Sequence, residues 1–454
     1  MYDLIIDKGV IVTSKGEFRG KLAIKSGKIA AIFSEEAPSA EARRYIDATG
    51  LIVMPGLVDT HVHCGHGTPE RENFECISKA AAAGGITTIV DMPLSEPSTV
   101  TFEAIENKKK VASSQTVVDY ALYSGIIPNH IEDIKDTFDA GAQSYKVFMC
   151  RCSNYSMLSD GLLLKGMKRV ASLGGMVCVH AENDTLIQQL IEDFQLEGHN
   201  DAQAFLDSHP EYSELEAVKR FIFLASLVPN CKAHICHLSI ASGAQALKEA
   251  RSRGIVNVTA ETCPHYLALD EEDFLRIGAF AKCDPPLRTR ENRERLWQMV
   301  LDGTIDTIAS DHSPHSFEKK TPKDGNFWTI SEGCTGVQTL LPVMVTEGRK
   351  RGLTWTRLVN LCATNPAKRF GLSYKKGDIQ VGLDADITLF DPSKEWKQDD
   401  NKLFYLNKWS PYSNRTFKGQ VVQTIVRGVS VFENGHIQSG PGFGQFCKMD
   451  MAKE

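Results

Sequence analysis

Between Gly56 and Ser310, short apolar segments alternate with amphipathic ones, and this alternation constrains the fold more than any other feature of the sequence. The segments between the apolar runs, such as GLLLKGMKRVASLGG, have helical periodicity and end in glycine, a common helix stop. The predicted strands are LVDTHVH, ITTIVDMP, VVDYALYS, QSYKVFM, MVCVH, KAHICH, IVNVTAE and IDTIAS. Eight strands that alternate with helices predict an α/β fold, a (β/α)₈ barrel.

The two ends of the chain differ from this middle part. Short β-rich runs separated by glycine fill the first fifty residues, and β-rich runs return near the C-terminus, as in KGDIQVGLDADITLF. We therefore predict a discontinuous β-sandwich domain over residues 1–54 and 372–440, and a barrel catalytic domain over 55–371. A tail over 441–454 is expected to cover the fold or to reach a neighbouring subunit.

Charge and hydropathy argue against several classes of function. The net charge of −6 at pH 7 is opposite to the basic face that nucleic acids and anionic membranes require. No segment approaches the roughly 20 apolar residues of a transmembrane helix, and Asp3 and Asp7 interrupt the first apolar run, unlike a signal peptide. We expect a cytoplasmic protein whose twelve scattered cysteines are reduced thiols.

Histidines and an aspartate follow the predicted strands where a barrel places its chemistry. In PGLVDTHVH, His61 and His63 are two residues apart on one strand and therefore point to the same side. His180 and His237 end two later strands, and Asp311 follows the last one. Because functional groups of a barrel converge at the carboxyl ends of its strands, this pattern predicts a metal site.

Two residues within the strands need separate arguments. Burial and nearby metal cations would lower the pKa of Lys146, and the neutral amine could add CO₂ to form a carbamate that bridges two ions. The alternative is a lysine that reaches the rim or pairs with a carboxylate. In KAHICH, His234 and His237 are three apart, so we predict that His237 faces the barrel axis and that His234 packs against the surrounding helices.

The remaining histidines give weaker signals. Four of them lie near strand ends and are expected to line the pocket or form hydrogen bonds rather than bind metal: His66, His265, His312 and His315. Four others fall in predicted helices or loops and carry no functional signal: His130, His199, His209 and His436.

The sequence resembles the cyclic amidohydrolases of the amidohydrolase superfamily, in particular the branch of L-hydantoinases and allantoinases. Matching segments span nearly the whole chain in family order: PGLVDTHVH, AAAAGGITTIVDMP, YKVFM, VHAEN, HICHLS, ETCPHYL, AKCDPPLR, GTIDTIASDHSP, ATNPAKRFGL and VGLDADITLFDP. The resemblance implies a (β/α)₈ barrel with a flanking β-sandwich from both termini. It also implies assembly as a homotetramer or a homodimer.

The resemblance further implies two zinc ions bridged by a carboxylated Lys146. By position it assigns His61, His63 and Asp311 to the more buried ion. It assigns His180 and His237 to the more exposed ion, and Lys146 to both. A hydroxide between the ions would attack the ring carbonyl, with Asp311 as general base and then general acid. The implied reaction opens a five-membered cyclic ureide, of hydantoin or allantoin type, to an N-carbamoyl or ureido carboxylate.

At two positions the sequence differs from related branches of the family, and these differences narrow the range of expected substrates. Dihydroorotases typically have an arginine two residues after the second metal histidine, where this chain has Gly65. Dihydroorotate is therefore disfavoured unless Arg71, Arg151 or Arg288 pairs with its carboxylate. Dihydropyrimidinases commonly have a tyrosine five residues after the bridging lysine, where this chain has Arg151, with Tyr155 four residues further on. That departure disfavours this branch and leaves the oxyanion donor unassigned.

Other segments bear on the ring and its contacts. VDYALYSG, HAENDTLIQ and GFGQF look closer to L-hydantoinases, which slightly favours hydantoin-type rings over allantoin. Loop position predicts backbone contacts to the ureide around Asp284, Pro285 and Gly333. Four apolar residues could shape the pocket for the ring substituent: Met92, Leu94, Phe148 and Met149. A dihydropyrimidinase or dihydroorotase-like hydrolase is an alternative, and so is a non-catalytic dihydropyrimidinase-like scaffold, although such scaffolds generally lose metal ligands.

Overall fold

The computed structural model describes residues 1–38, 40–65, 72–152 and 155–453. Its strands are, in chain order, β1 (Tyr2–Asp7), β2 (Val10–Thr13), β3 (Gly16–Lys25), β4 (Lys28–Ser34), β5 (Ala42–Asp47), β6 (Ile52–Pro55), β7 (Leu57–Val62), β8 (Ile86–Asp91), β9 (Asp119–Leu122), β10 (Ser124–Gly125), β11 (Ser144–Phe148), β12 (Met176–His180), β13 (Lys232–Ile235), β14 (Val258–Thr262), β15 (Thr307–Ile308), β16 (Ile387–Lys397), β17 (Thr416–Val426), β18 (Val429–Glu433) and β19 (His436–Ile437).

The helices that connect and cover these strands are α1 (Phe74–Ala83), α2 (Phe102–Gln115), α3 (Ile134–Asp139), α4 (Asp160–Ser172), α5 (Asp184–Leu196), α6 (Ala202–Ser208), α7 (Glu211–Ser226), α8 (Ala241–Ser252), α9 (Pro264–Ala268), α10 (Glu271–Ile277), α11 (Arg290–Leu301), α12 (Leu340–Arg349), α13 (Trp355–Val359) and α14 (Asn365–Arg369). Within the described residues, no helix is both long and apolar enough to cross a membrane.

The parallel strands β7 to β15 form the barrel, with β9 and β10 acting as one strand interrupted at Tyr123. The barrel closes where Val62 of β7 bridges to His312 beyond β15, and the His63 amide donates to the His312 carbonyl at 2.9 Å. The strands β7, β8 and β11 are buried throughout, as strands with helices outside and packed side chains inside must be. The predicted (β/α)₈ barrel is confirmed.

Strands from both ends of the chain share one sheet and form the predicted sandwich. β6 pairs with β2 on one side and with the C-terminal strand β16 on the other, antiparallel from Ile52 opposite Phe390 to Pro55 opposite Ile387. One buried cluster combines N-terminal side chains such as Leu22 with C-terminal ones such as Ile425. Regular β structure returns at β16, so KGDIQVGLDADITLF is a strand only in its last four residues.

The C-terminal tail contacts its own barrel. The Tyr120 amide donates to the Gln445 carbonyl at 3.0 Å, and the Cys447 amide donates to the Tyr120 carbonyl at 2.7 Å. The tail thereby pairs with the edge of β9 that β8 leaves open. Beyond it, Met449 and Met451 are buried in an apolar cluster, and the Met451 amide donates to Gln143 Oε1 just before β11 at 3.1 Å, which places them at the amino-terminal end of the barrel. None of the twelve cysteines, all of which lie within the described residues, is joined to another by a disulfide.

Candidate active site

Three of the predicted ligands meet at the carboxyl end of the barrel. The Nε2 atoms of His61 and His63 lie 3.2 and 3.3 Å from the same carboxylate oxygen, Oδ1 of Asp311. His61 is in β7 and His63 follows it, whereas Asp311 follows β15, so barrel closure brings them together. All three side chains are buried, and their donor atoms lie within 4.8 Å of one another, close enough to bind one ion.

The other three predicted ligands adjoin this group. His180, at the end of β12, points its Nδ1 at the Nε2 of His237, 3.1 Å away. Lys146 of β11 places its Nζ 3.4 Å from the same Nε2. The rings of His61 and His237 have centroids 5.3 Å apart, so the two groups form one continuous cluster. The structure therefore brings all six side chains into one site.

His237 reaches this site because the strand before it ends early. β13 ends at Ile235, and His237 has a φ of +34°, so the alternation of strand faces does not extend to it. His234 also faces the barrel interior, where its ring nitrogens lie 2.7 Å from Thr259 Oγ1 and 3.3 Å from Glu261 Oε2. Our prediction that His234 packs against the surrounding helices is wrong for this reason.

Carboxylates behind the ligand histidines fix the orientation of the rings. Oε1 of Glu261 lies 2.5 Å from Nδ1 of His61, and Oε2 of Glu182 lies 2.8 Å from Nε2 of His180. Each contact leaves the other ring nitrogen facing the cluster, which is how outer carboxylates set the tautomer of metal-binding histidines. Glu261 and Glu182 are within the family-like segments ETCPHYL and VHAEN. The alternation of strand faces did not predict a role for either of them.

The charge states of these side chains suit a divalent cation. Burial, with a smaller contribution from Lys146, lowers the pKa of His180 to about 4. Burial and Lys146 likewise hold the pKa of His237 well below its usual value. Burial alone would raise the pKa of Asp311, but the rings of His61, His63 and His237 overcome this effect and hold it well below the usual range. At neutral pH the site offers the imidazole lone pairs of His180 and His237 and the carboxylate of Asp311.

The protein groups around Lys146 act on its pKa in opposite directions. Burial acts to lower its pKa, as predicted, but the Cys236 thiol and the carboxylates of Asp311 and Glu261 outweigh burial. The protein's own groups therefore raise the pKa of Lys146 above its ordinary value. A neutral amine at this position requires positive charge from bound metal ions, since the surrounding side chains do not provide enough of it.

A cavity of about 270 Å³ opens above the cluster, and most of the residues predicted to contact the substrate line it. Asp284 and Gly333 line it, whereas Pro285 lies behind the wall with its carbonyl accepting a 2.7 Å hydrogen bond from the Tyr266 hydroxyl. Of the predicted apolar residues, Leu94 and Phe148 face the cavity. The other two belong to the packed core instead: Met92 and Met149.

Several wall residues carried no signal in the sequence. His209 places its Nε2 3.5 Å from Oδ1 of Asp284, whose pKa is raised to about 7 by burial and then by the Glu182 carboxylate. Further unpredicted wall residues come from α5 and from the segments around α6, α10 and residue 328: Gln188, Ile191, Gln195, Phe205, Lys282 and Trp328. They come from separate loops and helices, so only the fold brings them together.

Two of the histidines expected to line the pocket or form hydrogen bonds, His312 and His315, form hydrogen bonds outside the cavity. His312 packs its ring against Tyr405, with centroids 4.8 Å apart, and His315 places its Nε2 2.9 Å from the Glu332 carbonyl oxygen. His265 stacks edge-on against Tyr266 and does not line the cavity. Two residues named above lie outside the described residues: His66 and Arg71.

The residues that could replace the missing family contacts are divided between the rim and the core. Arg151 lies on the cavity rim, with its Nε 3.3 Å from Asp184 Oδ2. Arg288 is buried outside the cavity in an ion pair with Glu214 at 2.9 Å. Tyr155 packs its ring on Phe148, 5.2 Å between centroids, and does not line the cavity, so it offers no hydroxyl to the ring carbonyl.

The barrel, the flanking sandwich and this cluster define a metal-dependent hydrolase of one particular family. Residues 52–431 match the Amidohydrolase family, and the chain belongs to it. Among its relatives are an allantoinase from Rubrobacter xylanophilus, 40% identical over 100% of this chain and 99% of the relative, and an L-hydantoinase from Paenarthrobacter aurescens, 38% identical over 98% of both chains. The solved L-hydantoinase (dihydropyrimidinase) from Arthrobacter aurescens superposes with a TM-score of 0.95 at 38% identity, over 98% of this chain and 99% of that one.

Proposed function

We propose that this protein is a zinc-dependent cyclic amidohydrolase that opens a five-membered cyclic ureide, of hydantoin or allantoin type. The hydantoinases and allantoinases among its relatives support hydrolysis of a cyclic amide. The single observation that carries the proposal is the convergence of six donor side chains at the floor of one cavity. A non-catalytic scaffold would have no need to keep all six.

The donor set fits two divalent ions rather than one. His61, His63 and Asp311 would hold the deeper ion, and His180 and His237 the outer one. Lys146 lies beside His237 and, once carboxylated, would offer one oxygen to each ion. Two bound zinc ions would supply Lewis acidity and an activated water.

Asp311 is positioned to move the proton. Its Oδ1 faces His61 and His63, which leaves Oδ2 to accept the proton of the attacking water. The low pKa of Asp311 keeps the carboxylate ionised at neutral pH, as a general base must be. Oδ2 would then deliver the proton to the ring nitrogen as the amide bond breaks, and the product is a carboxylate with a carbamoyl-type nitrogen.

The cavity walls bear on the ring substituent. Leu94, Phe148, Phe205 and Trp328 give the cavity lining apolar surface, which favours a hydantoin with an aromatic or aliphatic substituent. Other lining residues are polar, and one observation among them supports allantoin as the second candidate. The guanidinium of Arg151 is neutralised by Asp184 on α5, and such a neutral set of donors and acceptors suits a ureido group better than a carboxylate.

Ring opening by the zinc- and bicarbonate-reconstituted protein tests this proposal. The panel contains allantoin, substituted hydantoins of both hands, dihydrouracil and dihydroorotate, with metal content measured on the same sample. We expect two zinc ions per chain and turnover of a five-membered ureide. Turnover of dihydroorotate or dihydrouracil alone would contradict the proposed ring class, and a protein that binds no metal would contradict the site.

Two further features remain predictions. Family resemblance predicts a homotetramer or homodimer, which light scattering of the purified protein would measure. The sequence predicts a cytoplasmic protein, and fractionation of the source cells would locate it.

A further inference from the structure

A buried lysine outside the proposed chemistry joins two parts of the cavity wall. The ammonium of Lys320 donates to three backbone carbonyls, those of Lys282 at 3.1 Å, Ser331 at 3.0 Å and Gly333 at 2.9 Å. Its residue is 1% exposed. A cation buried to this degree is costly unless its donors are satisfied, so three carbonyl partners mark a built site rather than a chance contact.

These carbonyls belong to the two segments that face the ureide in the proposed function. Residues 282–284 and 332–333 line the cavity directly above the metal cluster. The two segments also meet directly, since the Gly333 amide donates to the Lys282 carbonyl at 2.9 Å. That carbonyl therefore accepts from both Gly333 and Lys320, and the lysine lies at the junction.

Glycine at position 333 shows how closely the junction is packed. Gly333 has a φ of +144°, and a Cβ there would lie 2.6 Å from the Ser313 carbonyl oxygen. Only glycine at position 333 therefore allows this segment to pack so closely against Ser313. Its own amide and carbonyl are both used within the wall, so its placement depends on the groups that hold them.

The surroundings of Lys320 are otherwise apolar or balanced. The Trp409 ring centroid lies 5.3 Å from its Nζ, and the nearby Lys282 ammonium is paired with Glu332 at 2.7 Å. The titratable groups that face Lys320 are the Cys283 and Cys334 thiols, Glu332 and Lys282. Burial lowers the pKa of Lys320 to about 8, whereas Cys334, Glu332 and Cys283 act to raise it, so the ammonium is retained at neutral pH.

We propose that Lys320 is a positioning residue that holds segments 282–285 and 331–334 at the spacing that grips the ureide. This inference rests on the proposed function, because it assumes that these segments contact the ring. Lys320 touches neither the metal ligands nor the cavity. It should therefore affect substrate affinity and leave metal binding and the chemical step largely intact.

Substitution separates this role from a purely structural one. Lys320→Met keeps the volume and removes the charge, Lys320→Ala leaves the carbonyls facing an open space, and Lys319→Ala is the matched control because Lys319 is exposed on the same loop. On the ring that the unaltered protein opens best, we expect the first two variants to raise KM about ten-fold or more. Their kcat should fall less than about three-fold, zinc content should stay at two per chain, and Lys319→Ala should change neither constant.

Chemical rescue gives a second test. Ethylammonium or propylammonium should lower the KM of Lys320→Ala by occupying the three carbonyls, and should not affect Lys320→Met, whose side chain fills the space. A KM within two-fold of the unaltered protein in both variants would overturn the proposal. An equal fall in melting temperature in both variants, with no alkylammonium rescue, would assign Lys320 a structural role and overturn it as well.

Backbone hydrogen exchange tests the same inference without turnover. The peptide that contains Gly333 should exchange faster in Lys320→Met than in the Lys319→Ala control, because the Gly333 amide loses its fixed acceptor. Unchanged protection would overturn the positioning role whatever the activity shows. Loss of protection in a protein that opens no cyclic ureide would support the positioning role and contradict the proposed function, so the two failures are distinguishable.

Discussion

The two ends of the barrel are built from the same strands but differ in kind. At the carboxyl end, titratable side chains crowd together, and His237 and Asp311 hold φ values of +34° and +47° that few non-glycine residues adopt. At the amino-terminal end, the tail places Met449 and Met451 in an apolar cluster with fully buried neighbours. Reactive side chains thus gather at the carboxyl end, and packing at the other end stabilises the frame.

Two buried lysines, one at each end of the barrel, have different surroundings. Lys376, near the amino-terminal end, contacts Asp119 at 2.5 Å, Asp386 at 2.7 Å and Asp384 at 3.1 Å, which is an ionic junction between barrel and sandwich. Lys146 lies among the histidines instead, with its Nζ 3.4 Å from the Nε2 of His237. A buried lysine fully enclosed by carboxylates is structural, whereas one that faces other metal-binding groups is available for modification.

The largest effect should follow removal of the base at the carboxyl end. Asp311→Asn keeps the volume but cannot accept the proton, so we expect kcat to fall about 10⁴-fold. Steady-state kinetics with zinc analysis checks this, and Asp324→Asn, on an exposed turn, serves as the control. Turnover within ten-fold of the unaltered enzyme would mean that another group does the proton work.

Removal of the bridge should have the next largest effect. Lys146→Ala should lose the proposed carbamate and lower kcat/KM about 10³-fold, since Lewis-acid chemistry is worth several kcal/mol. A short carboxylate such as propionate in the buffer should restore part of the activity by occupying the gap. Loss of activity without zinc loss and without rescue would argue against a carbamate at this position, and so would near-normal turnover.

A smaller effect is expected one contact further from the metals. Glu261→Gln should lower zinc affinity or kcat/KM about 10- to 100-fold, because it weakens the contact that orients His61. Chelator competition measures the affinity, with the exposed Glu249→Gln as the matched control. Unaltered zinc affinity and activity would show that barrel packing alone orients this histidine.

At the amino-terminal end, a core truncation should change stability and leave activity unchanged. Met449→Ala removes a fully buried side chain and should lower the free energy of unfolding by about 2–5 kcal/mol. Its kcat should stay within two-fold at a temperature where the variant is folded. Denaturant unfolding measures the loss, and Met157→Ala, 38% exposed, is the control. A large fall in kcat in the folded variant would remove the distinction between the two ends.

Local pattern was sufficient for the strands and for the ligands at their ends. β12 has the predicted bounds, and His61, His180 and Asp311 converge because a closed parallel barrel leaves its strand ends no other place. The alternation of strand faces gave the wrong orientation for His234. The strand ends at Ile235, two residues before His237, and the positive φ of His237 changes the direction of the chain there. Strand alternation describes regular backbone only, so it cannot predict what an irregular turn does.

The sequence by itself determined the barrel through its periodicity and the family through the segments that match it, and strand-end positions predicted which side chains gather at the barrel mouth. Only the tertiary structure decided which groups surround those residues. Glu261 behind His61, His209 beside Asp284 and Lys320 between two wall segments are contacts between residues far apart in the chain. Such contacts are set by how elements pack, and no local pattern carries that information.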